Sequence, residues 1–246
     1  MRVAVVGGGT SGTAIQHAVE EWGTECVMMS RRTGFDIRDP RASDRLAGFD
    51  VVIEATGGTF LRRRPAVEFF TTSTRTIAQA TRDNGGRHVL LSIVNCDLPE
   101  VQGYGYFAAK AEQERLARQM SPQLSIIRST QWFEFAAQNQ QRMKLGPIAI
   151  VPAMKIQPVA LDSVAAAIAH EALSEQPHDV VEVAGQDVMT LQELTLSICP
   201  RHPYPVEVTI PTAYGTAFTS GALVPSPTAS IVGPSLDDWR ASRETT

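Results

Sequence analysis

The chain has little of what marks a nucleic-acid, membrane or metal protein. Of its 246 residues only three are cysteine (Cys26, Cys96 and Cys199), and they lie far apart. That spacing excludes a disulfide framework and implies a reducing compartment. The five histidines form no His-x-x-His pair and there is no Cys-x-x-Cys, so no metal site is expected. The longest basic run is Arg62-Arg63-Arg64 and the net charge is −4, which gives no reason to expect a nucleic-acid partner. No apolar stretch approaches the ~18 residues of a membrane span. The apolar run at 3–6 is too short for a signal peptide and ends in glycines. The expectation is a soluble, cytoplasmic protein that works on a small molecule.

What is present is enough apolar sequence for a substantial core: 43% of the residues are hydrophobic and 20% charged. The short apolar run at 3–6 carries no alternation, as expected of a strand covered on both faces; 26–29, 50–55 and 124–128 also read as strands, and 88–94 as a further buried one. Between them, helical periodicity appears at 13–22, 65–83 and 106–120. Gly23 stops the first helix, Pro65 opens the second and Asn84-Gly85 ends it. Alternating strands and helices through about residue 130 read as an α/β fold with a parallel sheet and helices on both faces. Beyond that the pattern loosens. Residues 162–173 read as a helix with Asp162 as N-cap, and 180–183 as a strand. Residues 190–198 read as a short helix with a Thr190–Glu193 capping box. The stretch 200–234, rich in Pro, Thr, Ser and Gly, gives few assignments. The chain is read as a single domain, 1–246. Its core is 1–135, and 136–246 supplies the remaining sheet elements and a small substrate lobe.

Gly7-x-Gly9-x-x-Gly12 lies between the first strand and the first helix. The first glycine permits a tight turn, the second lets a pyrophosphate approach the backbone, and the third lets helix and strand pack closely. The helix N-terminus then offers free N–H groups to the anion. The reading is a Rossmann-type, doubly wound dinucleotide-binding core; the alternative is a glycine-rich turn without a ligand. At the end of the second strand stands Ser30-Arg31-Arg32, where an NAD-binding chain carries an acid. A hydroxyl and guanidinium forks suit a 2′-phosphate, so NADP(H) is expected; a solvated basic loop is the alternative. Asp36-Ile37 reads either as adenine contacts or as a plain turn.

Tyr106 and Lys110 are four apart on one helix face. A neighbouring ammonium favours the phenolate, and such a tyrosine can pass a proton to a carbonyl oxygen as hydride arrives. Ser92, near the end of the preceding strand, is placed to bond the same oxygen. The alternative is a surface helix in which Tyr106 packs and Lys110 is solvated. Trp132, Phe133 and Phe135, with Tyr104, read either as an aromatic wall over the nicotinamide or as core. Glu134 among them would have a raised pKa if buried.

Taken together these residues resemble the short-chain dehydrogenase/reductase superfamily, and more closely its atypical, NmrA-like NAD(P)-binding branch. The carriers are residues 5–12 (VVGGGTSG), Ser30-Arg31-Arg32, residues 36–40 (DIRDP), 91–94 (LSIV), Tyr106-x-x-x-Lys110 and residues 128–135 (RSTQWFEF). The likeness runs from residue 1 to about 190, with an echo at 233–239. The glycine spacing is one residue shorter than the branch's usual three-residue steps. The resemblance implies Ser92, Tyr106 and Lys110 as the catalytic set, with Lys110 also a ribose ligand. It implies Thr10, Ser11 and Ala55-Thr56-Gly57 along the cofactor, and Thr130 toward the nicotinamide. It implies an NADPH-dependent oxidoreductase acting on a carbonyl or quinone-like molecule, possible homodimers, and two other outcomes: a non-catalytic redox sensor, or a non-redox isomerase or dehydratase on the same fold.

Overall fold

The computed structural model describes residues 1–58, 60 and 62–244. In chain order the elements are β1 (Arg2–Val6), α1 (Thr10–Glu20), β2 (Glu25–Met29), α2 (Ala42–Arg45), β3 (Val51–Glu54), α3 (Arg63–Asn84), β4 (Arg87–Ile93), α4 (Gly105–Met120) and β5 (Leu124–Ser129). They continue with α5 (Phe133–Arg142), β6 (Lys144–Leu145), β7 (Ile148–Pro152), β8 (Lys155–Ile156), α6 (Leu161–Leu173), β9 (Val180–Ala184), β10 (Met189–Thr190), α7 (Leu191–Ile198), β11 (Tyr204–Val208), α8 (Ala213–Thr219), β12 (Ser230–Ile231) and α9 (Leu236–Glu244). A seven-stranded parallel sheet has the order β12-β9-β5-β4-β3-β1-β2. The chain goes from β1 outward to β2, then returns to place β3 on the other side of β1. That reversal makes a switch point between β1 and β3. In open α/β sheets ligands bind in the crevice outside the strand ends at such a point.

The residues divide into two compact units. The first comprises Met1–Ser92, Tyr104–Arg128 and Ala165–Val181. Its central strands are the most buried: Val3, Ala4 and Val5 of β1 are inaccessible and all four residues of β3 are buried, whereas in the edge strand β2 only Met29 is. One core cluster gathers Val6 and Val52 from the strands with Phe35, Leu46 and Ile77. Each such side chain contributes about 1.5–3 kcal/mol of burial. The helix α1 begins three residues before the expected 13, because Thr13 N–H already bonds to the Gly9 carbonyl (3.0 Å) and Gly9 is the N-cap. Gly85, in the left-handed region at φ 68°, ends α3 as expected.

The second unit comprises Ile93–Gly103, Ser129–Val164 and Glu182–Thr246. It holds a three-stranded sheet, β11-β7-β6, and a two-stranded one, β10-β8. The helix α7 has the expected reciprocal cap: Glu193 N–H bonds to Thr190 Oγ1 (3.1 Å) and Thr190 N–H to Glu193 Oε2 (2.7 Å). Asn95, at φ 57°, donates to the carbonyls of Ala222 and Val224. Two expectations change. The helix α6 starts at Leu161, so Asp162 lies in its first turn rather than at the cap, where its charge still favours the helix dipole. The aromatic run after β5 opens a ten-residue helix, α5, with Trp132 as its N-cap. Among the described residues no helix is long and apolar enough to cross a membrane.

Candidate active site

The glycine loop connects β1 to α1, and its three glycines differ in what requires them. Gly7 has φ +125°, and a Cβ there would stand 2.4 Å from the Ala55 carbonyl oxygen. A Cβ on Gly12 would stand 1.7 Å from the Gly7 carbonyl oxygen. Both are glycine because the chain itself comes too close. Gly9 is not: its φ is −87°, and a Cβ there would meet nothing within 4 Å. The open space over Gly9 has no explanation in the packing and suits a ligand that must reach the backbone. Thr10 and Ser11 follow as the first residues of α1, whose leading amides have no helical partner.

Ser30 closes over this loop. A Cβ on Gly8 would lie 2.8 Å from Ser30 Oγ, and the Arg32 guanidinium donates to the Gly8 carbonyl. Ser30 Oγ is buried with no hydrogen-bond partner, a condition that costs free energy until a ligand meets it. Arg31 and Arg32 are both exposed. Asp36 is held by Arg38 (2.9 Å), whose hydrogen bonds bring its carboxyl down to about 2, with the Arg31 charge adding to the effect. Ile37 is 7% exposed and belongs to the core cluster. Ala55, Thr56 and Gly57 follow β3; Ala55 is buried, Thr56 half-buried and Gly57 exposed.

Tyr106 and Lys110 stand one turn apart on α4. Lys110 is 3% exposed, so it is not a solvated surface lysine. Its Nζ donates to the Leu91 carbonyl (2.7 Å) and to Gln113 Oε1, and lies 5.0 Å from the centre of the Phe70 ring. The Tyr106 ring meets the same Phe70 ring edge-on at 6.0 Å. Phe60, Val67 and Phe69 complete the apolar setting of Tyr106. Phe60 and Phe69 carry no signal in the sequence; only Val67 and Phe70 show helical spacing. Tyr104 is exposed, with its ring 5.9 Å from Phe107.

Ser92 is buried, and its hydroxyl hydrogen-bonds to the Glu114 carboxylate. Glu114 also receives Arg128 (2.7 Å) and Arg118 (2.9 Å). Burial raises the Glu114 carboxyl, but these hydrogen bonds and charges hold it below the ordinary range. Beneath Lys110 lies a second buried carboxylate, Glu54, the last residue of β3 and 1% exposed. Neither buried acid is legible from spacing, since each lies in a strand or helix pattern as a single polar position.

In the second unit Thr130 is 2% exposed and its Oγ1 has no hydrogen-bond partner; Gln131 Oε1 is likewise unmatched. Trp132 donates from its indole to Ser129 Oγ (2.8 Å). Phe133 is buried against Trp239 at 5.1 Å, a core contact, and Phe135 is half-buried on α5. Glu134 is raised by burial, against the opposing charge of Arg243 at 3.4 Å.

No protein-family profile matches the sequence. No curated protein matches it either. Solved structures do match. An NADPH-dependent quinone oxidoreductase of Escherichia coli, complexed with NADPH, superposes with a TM-score of 0.72 at 14% identity, covering 98% of this chain and 99% of that one. A dTDP-4-dehydrorhamnose reductase of Clostridium acetobutylicum gives 0.64 at 13%, covering 92% and 95%. A nucleoside-diphosphate-sugar epimerase of Pseudomonas aeruginosa gives 0.66 at 15%, covering 99% and 96%. The chain therefore has the Rossmann-like fold shared by these reductases and epimerases.

Proposed function

We propose that the chain is an NADPH-dependent reductase of a carbonyl or quinone-like small molecule. The observation that carries this reading is the buried Lys110 ammonium one turn from Tyr106, both against the Phe70 ring. The same unit carries a glycine loop with open space over Gly9 and an unmatched Ser30 hydroxyl beside it. Those features fit a dinucleotide: the α1 N-terminus would hold the pyrophosphate, and Ser30, Arg31 and Arg32 the 2′-phosphate. The quinone oxidoreductase of the same fold, a reductase solved with NADPH, supports the same assignment.

NADPH, when bound, supplies a hydride. Tyr106 then gives its hydroxyl proton to the substrate oxygen, and the Lys110 ammonium stabilises the phenolate left behind. Phe60, Phe69 and Phe70 give Tyr106 an apolar setting that favours a flat, weakly polar substrate.

One observation favours a second reading, a dinucleotide-binding regulator without turnover. The Ser92 hydroxyl is engaged by Glu114, two turns along α4 from Tyr106. Tyr106→Phe separates the two. NADPH oxidation with a quinone and carbonyl panel should fall by about 10²-fold or more, with NADPH binding unchanged. Turnover equal to the native protein's would overturn the mechanism. No turnover by either protein, with tight NADPH binding, would favour the regulator.

A further inference from the structure

Lys110 is buried, and a buried ammonium is costly unless a negative group answers it. The nearby carboxylate that feels its charge is Glu54. Glu54 lies beyond Gln113: Gln113 Nε2 donates to Glu54 Oε1 (2.9 Å), and Gln113 Oε1 receives the Lys110 ammonium. The orientation of this amide is fixed by chemistry, because a carboxylate only accepts and an ammonium only donates. Gln113 therefore points its positive end at Glu54 and its negative end at Lys110.

The rest of the network keeps Glu54 ionised. Thr56 Oγ1 donates to Oε1 (3.3 Å), and Thr74 Oγ1 (2.8 Å) and His88 Nε2 (3.1 Å) reach Oε2. Ser121 Oγ lies 2.8 Å from His88 Nδ1 and gives the other ring nitrogen a partner. With Gln113, the carboxylate is met by donors on both oxygens. Burial pushes Glu54 up, but the hydrogen bond and charge of His88, the Ser73 hydrogen bond and the Lys110 charge outweigh it.

We infer that Glu54, acting through Gln113, is a positioning residue that keeps the Lys110 ammonium charged and fixed beside Tyr106. The inference rests on the proposed roles of Tyr106 and Lys110. Around Lys110 and its bridge within the unit stand Glu54 from β3 with His88 from β4 upon it, the Leu91 carbonyl from β4, Phe70 from α3 and Gln113 from α4, with Tyr106 one turn away against the same Phe70 ring. Of these, Glu54 alone is a fixed negative charge at neutral pH. Without it the buried ammonium loses its counter-charge and its pKa falls, and the phenolate of Tyr106 loses its support.

The test needs no substrate. The sequence has three lysines and four tyrosines, so ¹³Cε-lysine and ¹³Cζ-tyrosine labelling gives few signals. Lys110→Arg and Tyr106→Phe assign the two of interest. In Glu54→Gln the Lys110 midpoint should fall by about one pH unit or more and the Tyr106 midpoint should rise. Gln113→Met, which breaks the bridge but leaves both charges, should move both in the same directions by less. It carries the test if Glu54→Gln does not fold. A purely structural network would lower the melting temperature of these variants and leave both midpoints where they were, and that result overturns the inference. Failure of the reductase reading appears instead in the Tyr106→Phe turnover assay, so the two are distinguishable.

Discussion

Alanine at Gly9 and at Gly12 should have opposite consequences, although both are glycines of one loop. At Gly12 the new Cβ would sit 1.7 Å from a carbonyl oxygen, well inside any tolerated contact. The helix α1 would have to move away from β1 by more than an ångström. Overpacking of a rigid core costs about 1–3 kcal/mol, and this clash is with backbone rather than a yielding side chain. Gly12→Ala should therefore lose about 3 kcal/mol or more, at the upper end of that range. At Gly9 the Cβ enters open space at an ordinary φ of −87°. Restricting the unfolded chain gains about 0.4–1 kcal/mol, and replacing a glycine N-cap by alanine loses a similar amount. The two offset, and stability should stay within about 0.5 kcal/mol. The space filled is the space assigned to the pyrophosphate, so NADPH affinity should fall at least tenfold, about 1.4 kcal/mol. Chemical denaturation and NADPH fluorescence titration on both variants make the assay. Gly9→Ala binding NADPH as tightly as the native protein would refute the assignment of the loop.

Two further outcomes follow from buried titratable groups. Glu114 has its folded-state carboxyl held low, so its pairing stabilises the protein above the unfolded value of about 4.3 and is lost as pH falls through the lower folded value. Arg128→Met, which strips the principal partner from a side chain 1% exposed, should cost about 3 kcal/mol at neutral pH and flatten that acid limb, as read by denaturation against pH. Cys26 is pushed by burial up to about 12, with Glu20 adding, so alkylation near pH 8 should be slow and should accelerate with pH. Rapid modification of Cys26 at neutral pH, traced by peptide mass, would contradict that.

Much of the first unit is legible in the sequence because local chemistry decides it. Short apolar runs suit strands, and Gly85 ends α3 where a left-handed φ is needed; α3 opens at Arg63, two residues before the expected Pro65, which lies within its first turn. The capping box of α7 is legible because Thr190 and Glu193 satisfy each other within one turn. The elements that escape are those whose partners are distant in sequence. β7 gains its place from β11, more than fifty residues on, and neither run is distinctive alone. The run at 132–135 gives no helix signal because its aromatics reflect packing, as Phe133 on Trp239 illustrates. In the site, Gly9, Ser30 and Lys110 stand out by motif spacing. Their significance comes from facts spacing does not hold: the void over Gly9, the unmatched hydroxyl of Ser30 and the burial of Lys110. Glu54 and Gln113 escape notice because a lone acid at a strand end and a lone amide in a helix are ordinary until folding joins them.

The central claim is that the β1–α1 loop and Ser30-Arg31-Arg32 hold a phosphorylated dinucleotide. Fluorescence titration of the purified protein with NADPH and NADH, repeated on Arg31→Ala/Arg32→Ala, tests it most directly. Binding should be saturable with NADPH preferred at least tenfold, about 1.4 kcal/mol, and that preference should be lost in the double variant. Equal or tighter binding of NADH by the native protein, or no binding of either, would contradict it.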